Sequence, residues 1–532
     1  MACIIDSTPN TVKKARHLIP SLTRKLPYEI PEKYQNSFYL ANASVFDNIN
    51  WFLHRSYEIL FPTLRATLQN SPDAKLTVDE SIDKLNGIIK ILDQCNTLID
   101  LRFPVKRDNG SYEVVRGYKG QYGMSTGQLP CFGGLRYDDE VTRDDIKGMS
   151  ALAMYKNCCV GINCPGAHGT IKIDPNEYSE NELQSIVKQY AAELYQKGMC
   201  DERSNVFQPD MKTTEKEMNW ISNTYSELTG CFPNCVSTGK SVNCDGLDGF
   251  KNSSGLGAYY AMDFFLRQDK LLNKIGLSKG VKDKTFIIQG LGKTGTTLAK
   301  TLIDNGAKCI GVKEIDSYLY DPKGIDIQDL LEHIKKHGTM KHYHMAKSEV
   351  NDDIYKFNCD ILIFAARHKS LICYVADKVK AKLVVEAADG AMTPASNKIL
   401  SLKKLVIPDI YAGSGCNIAS FIEYLRTLQI LNVPLTDTLR YADKVYEEVL
   451  SMINKNFEEM IMSSSTSKID VVSTKQDPAF LPKSIRLVVD DVGQNIMNTL
   501  EEFQLGLDVR SACYIVSLQK IYKKMFDNKK FL

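Results

Sequence analysis

Three short stretches of this 532-residue chain carry residue types that could do chemistry. In the first, Gly290-x-Gly292-x-x-Gly295 follows the apolar run Thr285-Phe286-Ile287-Ile288-Gln289 directly. Glu314 stands roughly twenty residues past those glycines, at the end of the next apolar run, Cys309-Ile310-Gly311-Val312. A lone glycine turn is weak evidence, but one held between a strand and a helix, with an acid at the next strand's end, marks a dinucleotide site. Gly290 permits the tight turn, Gly292 lets backbone approach a pyrophosphate, and Gly295 lets helix and strand pack closely. Glu314 would accept hydrogen bonds from the adenosine ribose, which favours NAD over NADP, whose 2′-phosphate would face a carboxylate. In the second stretch, Lys156 shares a helix face with Ile146, Met149 and Ala153. A lysine there either snorkels at a helix end or holds a cation in a cleft for a carboxylate. The third, Cys164-Pro165-Gly166-Ala167-His168-Gly169-Thr170, contains a histidine whose reference pKa of ~6.5 suits a base at neutral pH.

The elements that must position these residues follow from local patterning. Residues 35 to 230 read as alternating helices and strands. Ser179-x-x-Glu182 is a capping box for a helix with Leu183, Ile186, Val187, Tyr190 and Leu194 inward, closed at Gly198. Thr214-x-x-Glu217 opens another, with Met218, Ile221 and Leu228 inward, and Thr142 starts the helix that carries Lys156. From about Gly280 the pattern turns β-α-β, with Leu298, Leu302 and Ile303 on the inner face of the helix after the glycine turn. Further strands are predicted at Ile361–Phe364, Leu383–Glu386 and Leu405–Ile407. The predicted architecture is α/β: a doubly wound, Rossmann-like dinucleotide-binding domain over 231–425 beside a second α/β domain over 35–230. A helix over about Thr438–Met460 breaks the pattern, and helices near Leu487–Phe503 and Val509–Phe526 end the chain.

Composition excludes several function classes. Hydrophobic residues make up 43% and charged residues 24% of the chain, as in a soluble globular protein of two or three domains. A formal net charge of +2, without a basic stripe carrying interleaved aromatics, offers nothing to a nucleic acid. No apolar run approaches the ~18 residues that span a bilayer. The fifteen cysteines are scattered and read as free thiols. Cys231 with Cys235, and His337, His342 and His344, match no metal-ligand spacing, so no metal is expected.

Ordered sequence blocks carry a resemblance. Leu101-Arg102-Phe103-Pro104-Val105, Gly133-Gly134-Leu135-Arg136-Tyr137, Met154-Tyr155-Lys156, Pro209-Asp210-Met211, Thr238-Gly239-Lys240 and Gly290–Gly295 occur in the order seen in the hexameric glutamate dehydrogenases of animal type. The resemblance runs from about Ile89 to the C-terminus. It implies oxidative deamination of L-glutamate to 2-oxoglutarate and ammonia with NAD, or alternatively NADP, in a homo-hexamer. It also implies that residues 35–230 form the substrate and oligomerisation domain, that residues 426–482 form a helical antenna and that residues 483–532 return to the first domain. By match, Lys156 is the lysine for the α-carboxylate, Asp210 the proton-shuttling aspartate, Ser420 the serine for the side-chain carboxylate, and Ser254 the hydroxyl near the nicotinamide.

Five matched positions depart from the family pattern. Phe132 stands where a lysine grips the side-chain carboxylate, and His168 where the catalytic lysine works on the imine. Phe250 replaces an arginine, while Asp389 and Gly413 each replace an asparagine. Histidine reaches less far than lysine, and a base misplaced by ~1 Å can lose about a hundredfold in rate. Three readings follow: a glutamate dehydrogenase with impaired turnover, a catalytically silent nucleotide-binding subunit or regulator, which could share a hexamer with an intact paralogue, and a dehydrogenase for an apolar amino acid. In the N-terminal segment 1–34, Lys13, Lys14, Arg16, Arg24 and Lys25 lie among hydroxyl residues, with no acid between Asp6 and Glu29. That is the character of a mitochondrial transit peptide, which with the resemblance points to the matrix; Pro9, Pro20 and Pro27 favour a plain basic tail.

Overall fold

The central strands of the first sheet are buried along their whole length, and alternation of buried and exposed residues is confined to its antiparallel edge. The computed structural model describes residues 28–40, 43–70, 76–124, 129–344, 346–347, 352–428 and 478–527. Two helices, α1 (Val45–Gln69) and α2 (Val78–Leu92), precede β1 (Thr97–Lys106) and β2 (Tyr112–Tyr122), which pair antiparallel. β3 (Cys131–Tyr137), the helix α3 (Arg143–Cys159) and β4 (Gly166–Ile171) follow. Then come α4 (Glu180–Gln196), β5 (Asn205–Pro209) and α5 (Glu215–Thr229). The strands order as β1-β2-β4-β3-β5, with β4, β3 and β5 parallel. Helices cover both faces: a side chain at Gly120 would meet Ile146 and Ser150 of α3, and one at Gly117 would meet the Tyr190 ring of α4. The boxes at Thr142, Ser179 and Thr214 cap α3, α4 and α5, each satisfying N–H groups that a helix start leaves open.

The second sheet joins β6 (Thr285–Gln289), β7 (Lys308–Lys313), β8 (Tyr318–Tyr320), β9 (Ala346–Lys347), β10 (Ile361–Phe364), β11 (Leu383–Glu386) and β12 (Leu405–Ile407), in the order β12-β11-β10-β6-β7-β8-β9. From β12 to β7 every pair is parallel. Alternate residues of β10 feed two separate cores, Ile361 and Ile363 one and Leu362 and Phe364 the other, because the sheet is buried on both faces. Two short antiparallel strands, β8 and β9, extend the edge beyond the parallel sheet expected from sequence. They are too short to carry a readable alternation.

Of the further helices, three border the cleft between the sheets: α6 (Ser253–Phe265) before β6, α7 (Lys293–Asp304) after it, and α8 (Gly415–Thr427) after β12. The chain ends in α9 (Phe480–Glu502) and α10 (Val509–Asp527). α9 starts well before Leu487 because Pro482 lies in its first turn, where the missing N–H costs nothing. α10 returns to the first layer, where Ser517 donates to the Tyr155 carbonyl of α3 at 3.0 Å. Leu228 and Ile303, expected inward, are 46% and 37% exposed, since each lies in a last helical turn that overhangs its neighbours. Most of the expected antenna, residues 429–477, and the basic segment 1–27 lie outside the described residues.

Candidate active site

The C-terminal ends of β3, β4 and β5, together with α3, meet the glycine turn, the loop after β11 and the start of α8 around a cavity of about 360 Å³. Lys156, His168, Asp210, Ser254, Gly292 and Asp389 all line it. Sequence-distant residues converge there because strand ends at one edge of a parallel sheet leave a crevice for ligands.

On the nucleotide side, each glycine has a separate steric reason. Gly290 adopts φ +94, open only to a residue without Cβ. A Cβ at Gly295 would lie 1.9 Å from the Gly290 carbonyl oxygen, so helix and turn touch directly. Gly292 differs: its φ is −64 and a Cβ there would meet nothing within 4 Å. The space beside it is where a pyrophosphate would sit, against the start of α7, whose N-cap makes no side-chain hydrogen bond. Glu314 accepts the Leu291 N–H at 2.5 Å, and burial raises its carboxyl above the usual range. That carboxylate braces the glycine turn from the end of β7. The glycine turn and its acid fit a nicotinamide dinucleotide, NAD or NADP.

Across the cleft, Asp210 is firmly placed. Its N–H donates to Thr213 Oγ1 at 2.8 Å, and that hydroxyl donates to the Leu135 carbonyl at 2.7 Å. Arg136 points both Nε and Nη2 at Asp210 Oδ2, at 2.8 and 2.6 Å. Lys293, at the start of α7, donates to the Thr213 carbonyl at 3.2 Å and ties the glycine turn to this loop. His168 is not part of the network. Its Nδ1 lies 3.9 Å from Asp210 Oδ2, beyond hydrogen bonding, and Nε2 has no partner among the described residues. Burial, reinforced by the Arg136 and Lys119 charges, pushes the imidazole well below the usual histidine range, so His168 is neutral at pH 7.

Lys156 has a partner that sequence reading did not supply. Its ammonium, only 5% exposed, is held by the Asp389 carboxylate, which is 37% exposed toward the cleft. Gly413 makes room for this pairing, since a Cβ there would stand 2.6 Å from Lys156 Nζ. Phe132 and Ser420 lie deeper, outside the cavity lining. Phe132 is 1% exposed and packs edge-on against Phe421 and Tyr424, at centroid distances of 5.9 and 5.2 Å. Ser420 shares a hydrogen bond of 2.5 Å with Thr238, both fully buried. Phe250 is also buried away from the cavity. Of the five departures, then, His168, Asp389 and Gly413 line the cleft and the two phenylalanines do not.

Comparison with known proteins sets this geometry in a family. The Glu/Leu/Phe/Val dehydrogenase dimerisation domain matches residues 96–227, and the Glutamate/Leucine/Phenylalanine/Valine dehydrogenase domain matches residues 246–478. The mitochondrial glutamate dehydrogenase of Dictyostelium discoideum is 33% identical over 397 residues, spanning 73% of this chain and 78% of that protein. This chain belongs to the glutamate dehydrogenase family. The NADP-specific glutamate dehydrogenase A1 of Halobacterium salinarum is 30% identical over 72% of this chain and 87% of its own length. The fold is that of the hetero-hexameric glutamate dehydrogenase of Thermus thermophilus in its Leu-bound form, with a TM-score of 0.70 at 23% identity over 90% of this chain and 96% of that one. Plasmodium falciparum glutamate dehydrogenase gives a TM-score of 0.69 at 18% identity over 95% and 99%.

As a glutamate dehydrogenase family member the chain is an oxidoreductase by descent, and Arg136 is the site residue that sequence reading missed. A signal was available: Phe132, Gly134 and Arg136 alternate along β3, so Arg136 shares the face of Gly134, whose Cβ would lie 2.8 Å from that of Asp210. Among the described residues no group of three His, Cys, Asp or Glu side chains is arranged to hold a metal ion. No helix of the described residues is long and apolar enough to cross a membrane.

Proposed function

We propose that this protein binds NAD in the cleft, with NADP as the weaker alternative, and that its oxidative deamination of L-glutamate to 2-oxoglutarate and ammonia is impaired. The carrying observation is the Lys156–Asp389 pair: the cation expected to grip the α-carboxylate already has a carboxylate against it. NAD, when bound, supplies the hydride acceptor. Lys156 and Asp210 would then orient the amino acid and handle the amine proton, while His168 would have to serve as the base. As a neutral imidazole it could accept a proton, but it stands 3.9 Å from the Asp210 oxygen that would relay it. Phe132 offers no cation to a side-chain carboxylate and forms part of an aromatic cluster instead. We place the protein in a hexamer in the mitochondrial matrix, with the domain limits given by the sequence and residues 426–482 as a peripheral antenna.

A second reading is supported by the gap between His168 and Asp210: a catalytically silent subunit that binds nucleotide and joins or regulates a hexamer. The apolar surroundings of Phe132 support a third, turnover of an apolar amino acid. Initial rates of NADH formation by the purified protein with L-glutamate, L-leucine and L-valine separate them. We expect slow glutamate turnover. No turnover of any substrate, with NADH binding intact, would favour the silent subunit. Leucine or valine turnover would favour the third.

A further inference from the structure

We infer that Asp389 makes the cleft select an α-amino acid over the matching 2-oxo acid, because the Lys156–Asp389 ion pair is complementary to an ammonium and carboxylate on one carbon. This rests on the reading of the cleft as the substrate site. Lys156 is 5% exposed and cannot turn away into water, whereas Asp389 is 37% exposed and presents its carboxylate to the cavity. A ligand carboxylate approaching Lys156 is attracted by that ammonium and repelled by Asp389 at nearly the same distance. The two terms largely cancel for a ligand carrying only negative charge. A zwitterion escapes the cancellation: its carboxylate joins Lys156 while its ammonium meets Asp389.

Two features of the fold keep the pair in place. Gly413, the residue after Ala412, has no side chain to push the Lys156 ammonium aside. The loop carrying Asp389 is pinned one residue later, where the Gly390 N–H donates to Asp409 Oδ2 at 2.7 Å. Asp409 is in turn held by Arg510 Nη1 at 2.8 Å. Asp389 is therefore a specificity-determining residue, and an amide at this position would remove the charge while keeping the shape.

The test is isothermal titration of the full-length protein, saturated with NADH, with the matched pair L-norvaline and 2-oxopentanoate, which differ only at Cα. Wild type is expected to bind L-norvaline at least tenfold more tightly than the oxo acid. Asp389→Asn is expected to bring the two affinities within about threefold, mainly by strengthening oxo-acid binding. A merely structural role for Asp389 would weaken both ligands together and leave their ratio unchanged. Equal affinities in wild type, an unchanged ratio in the variant, or failure to bind either ligand overturns the inference. NADH binding, measured first, keeps the two readings apart: its absence defeats the nucleotide-site proposal, whereas its presence without amino-acid selection defeats only this one.

Discussion

Arg136 places both Nε and Nη2 within 2.8 Å of a single oxygen of Asp210, so the aspartate faces the cleft already paired with a guanidinium. His168, 3.9 Å from that same oxygen, is left as a neutral ring with one nitrogen unpartnered among the described residues. Charge-assisted bonds of this kind are the strong ones, and Arg136 wins the contest for Asp210 because a full charge outbids a neutral imidazole. His168 and Asp210, the two groups proposed for acid-base work, thus stand in the cleft without a hydrogen bond between them.

Joining those parts defines the first prediction. A lysine at 168 is longer than histidine and carries a charge, so His168→Lys should reach Asp210. Phe132→Lys restores a lysine at the family's position, but from outside the cavity lining, with its ammonium starting among Phe421 and Tyr424. We expect Phe132→Lys to lower stability by about 3 kcal/mol. In the double variant, kept below its melting temperature, glutamate-dependent NADH formation should rise at least tenfold over wild type, or about 1.4 kcal/mol of barrier. Neither single change should reach this. A folded, NADH-binding double variant with no gain would mean that these two positions do not limit the chemistry.

The glycine turn yields a contrast between two valine substitutions. At Gly292 the added side chain meets open space in the protein, so Gly292→Val should leave unfolding free energy within about 0.5 kcal/mol of wild type. It should abolish NADH binding, because the valine fills the space a pyrophosphate needs. At Gly295 the Cβ would strike the Gly290 carbonyl at 1.9 Å, and Gly295→Val should destabilise the protein outright. Calorimetric titration and thermal unfolding measure both. In wild type we expect NADH to bind more tightly than NADPH; full NADH affinity in Gly292→Val would rule out the assigned pyrophosphate position.

Legibility in the sequence followed length and charge. β10, β11 and β12 could be read to the residue, because short apolar runs between turn signals have few other fates. The caps at Ser179 and Thr214 were equally plain. β8 and β9, with three and two residues, carry no period to read. At the site, spacing brought Lys156 to an apolar helix face, but its partner lies 233 residues away on a loop that the second sheet and the Asp409–Arg510 pair position. The depth of Phe132 and Ser420 was hidden for a similar reason. What buries them is α8 packing on the first sheet, a tertiary relation with no local signature.

A buried lysine away from the cleft sets a pH dependence. Lys119 is fully buried, with its ammonium 3.8 Å from the Phe207 ring centroid and no hydrogen-bond partner among the described residues. Burial lowers its pKa to about 7. Between that value and the unfolded ~10.5, the unfolded chain binds more protons, so stability rises with pH across this window. The penalty is full below pH 7 and vanishes as pH climbs toward 10.5. Lys119→Met should therefore stabilise the protein by on the order of 3 kcal/mol at pH 7 and by much less at pH 10. Denaturant unfolding at both values decides it, and an equal gain at both would show that the lysine is not buried in its charged form.

The last prediction concerns the buried cluster beneath the Asp389 loop. Arg510, on α10, donates Nε to Asn397 at 3.1 Å and Nη1 to Asp409 at 2.8 Å, and its Nη2 pairs with Glu386 at the end of β11. Glu386 is fully buried and Asp409 nearly so, and burial pushes the Asp409 carboxyl up to about 6 even beside its partners. Arg510→Met would strand two carboxylates in the core, and we expect a loss of about 3–5 kcal/mol at pH 8. Stranded carboxyls have folded pKa values above their unfolded ones, so the folded state then binds more protons and the deficit should shrink as pH falls to 5.5. The double variant Arg510→Met, Glu386→Gln should recover at least about 1 kcal/mol at pH 8 by removing one of the charges. Urea titrations of both variants at the two pH values give the answer. A deficit that is independent of pH and unrelieved by Glu386→Gln would assign the loss to packing of the arginine stem, not to its charge.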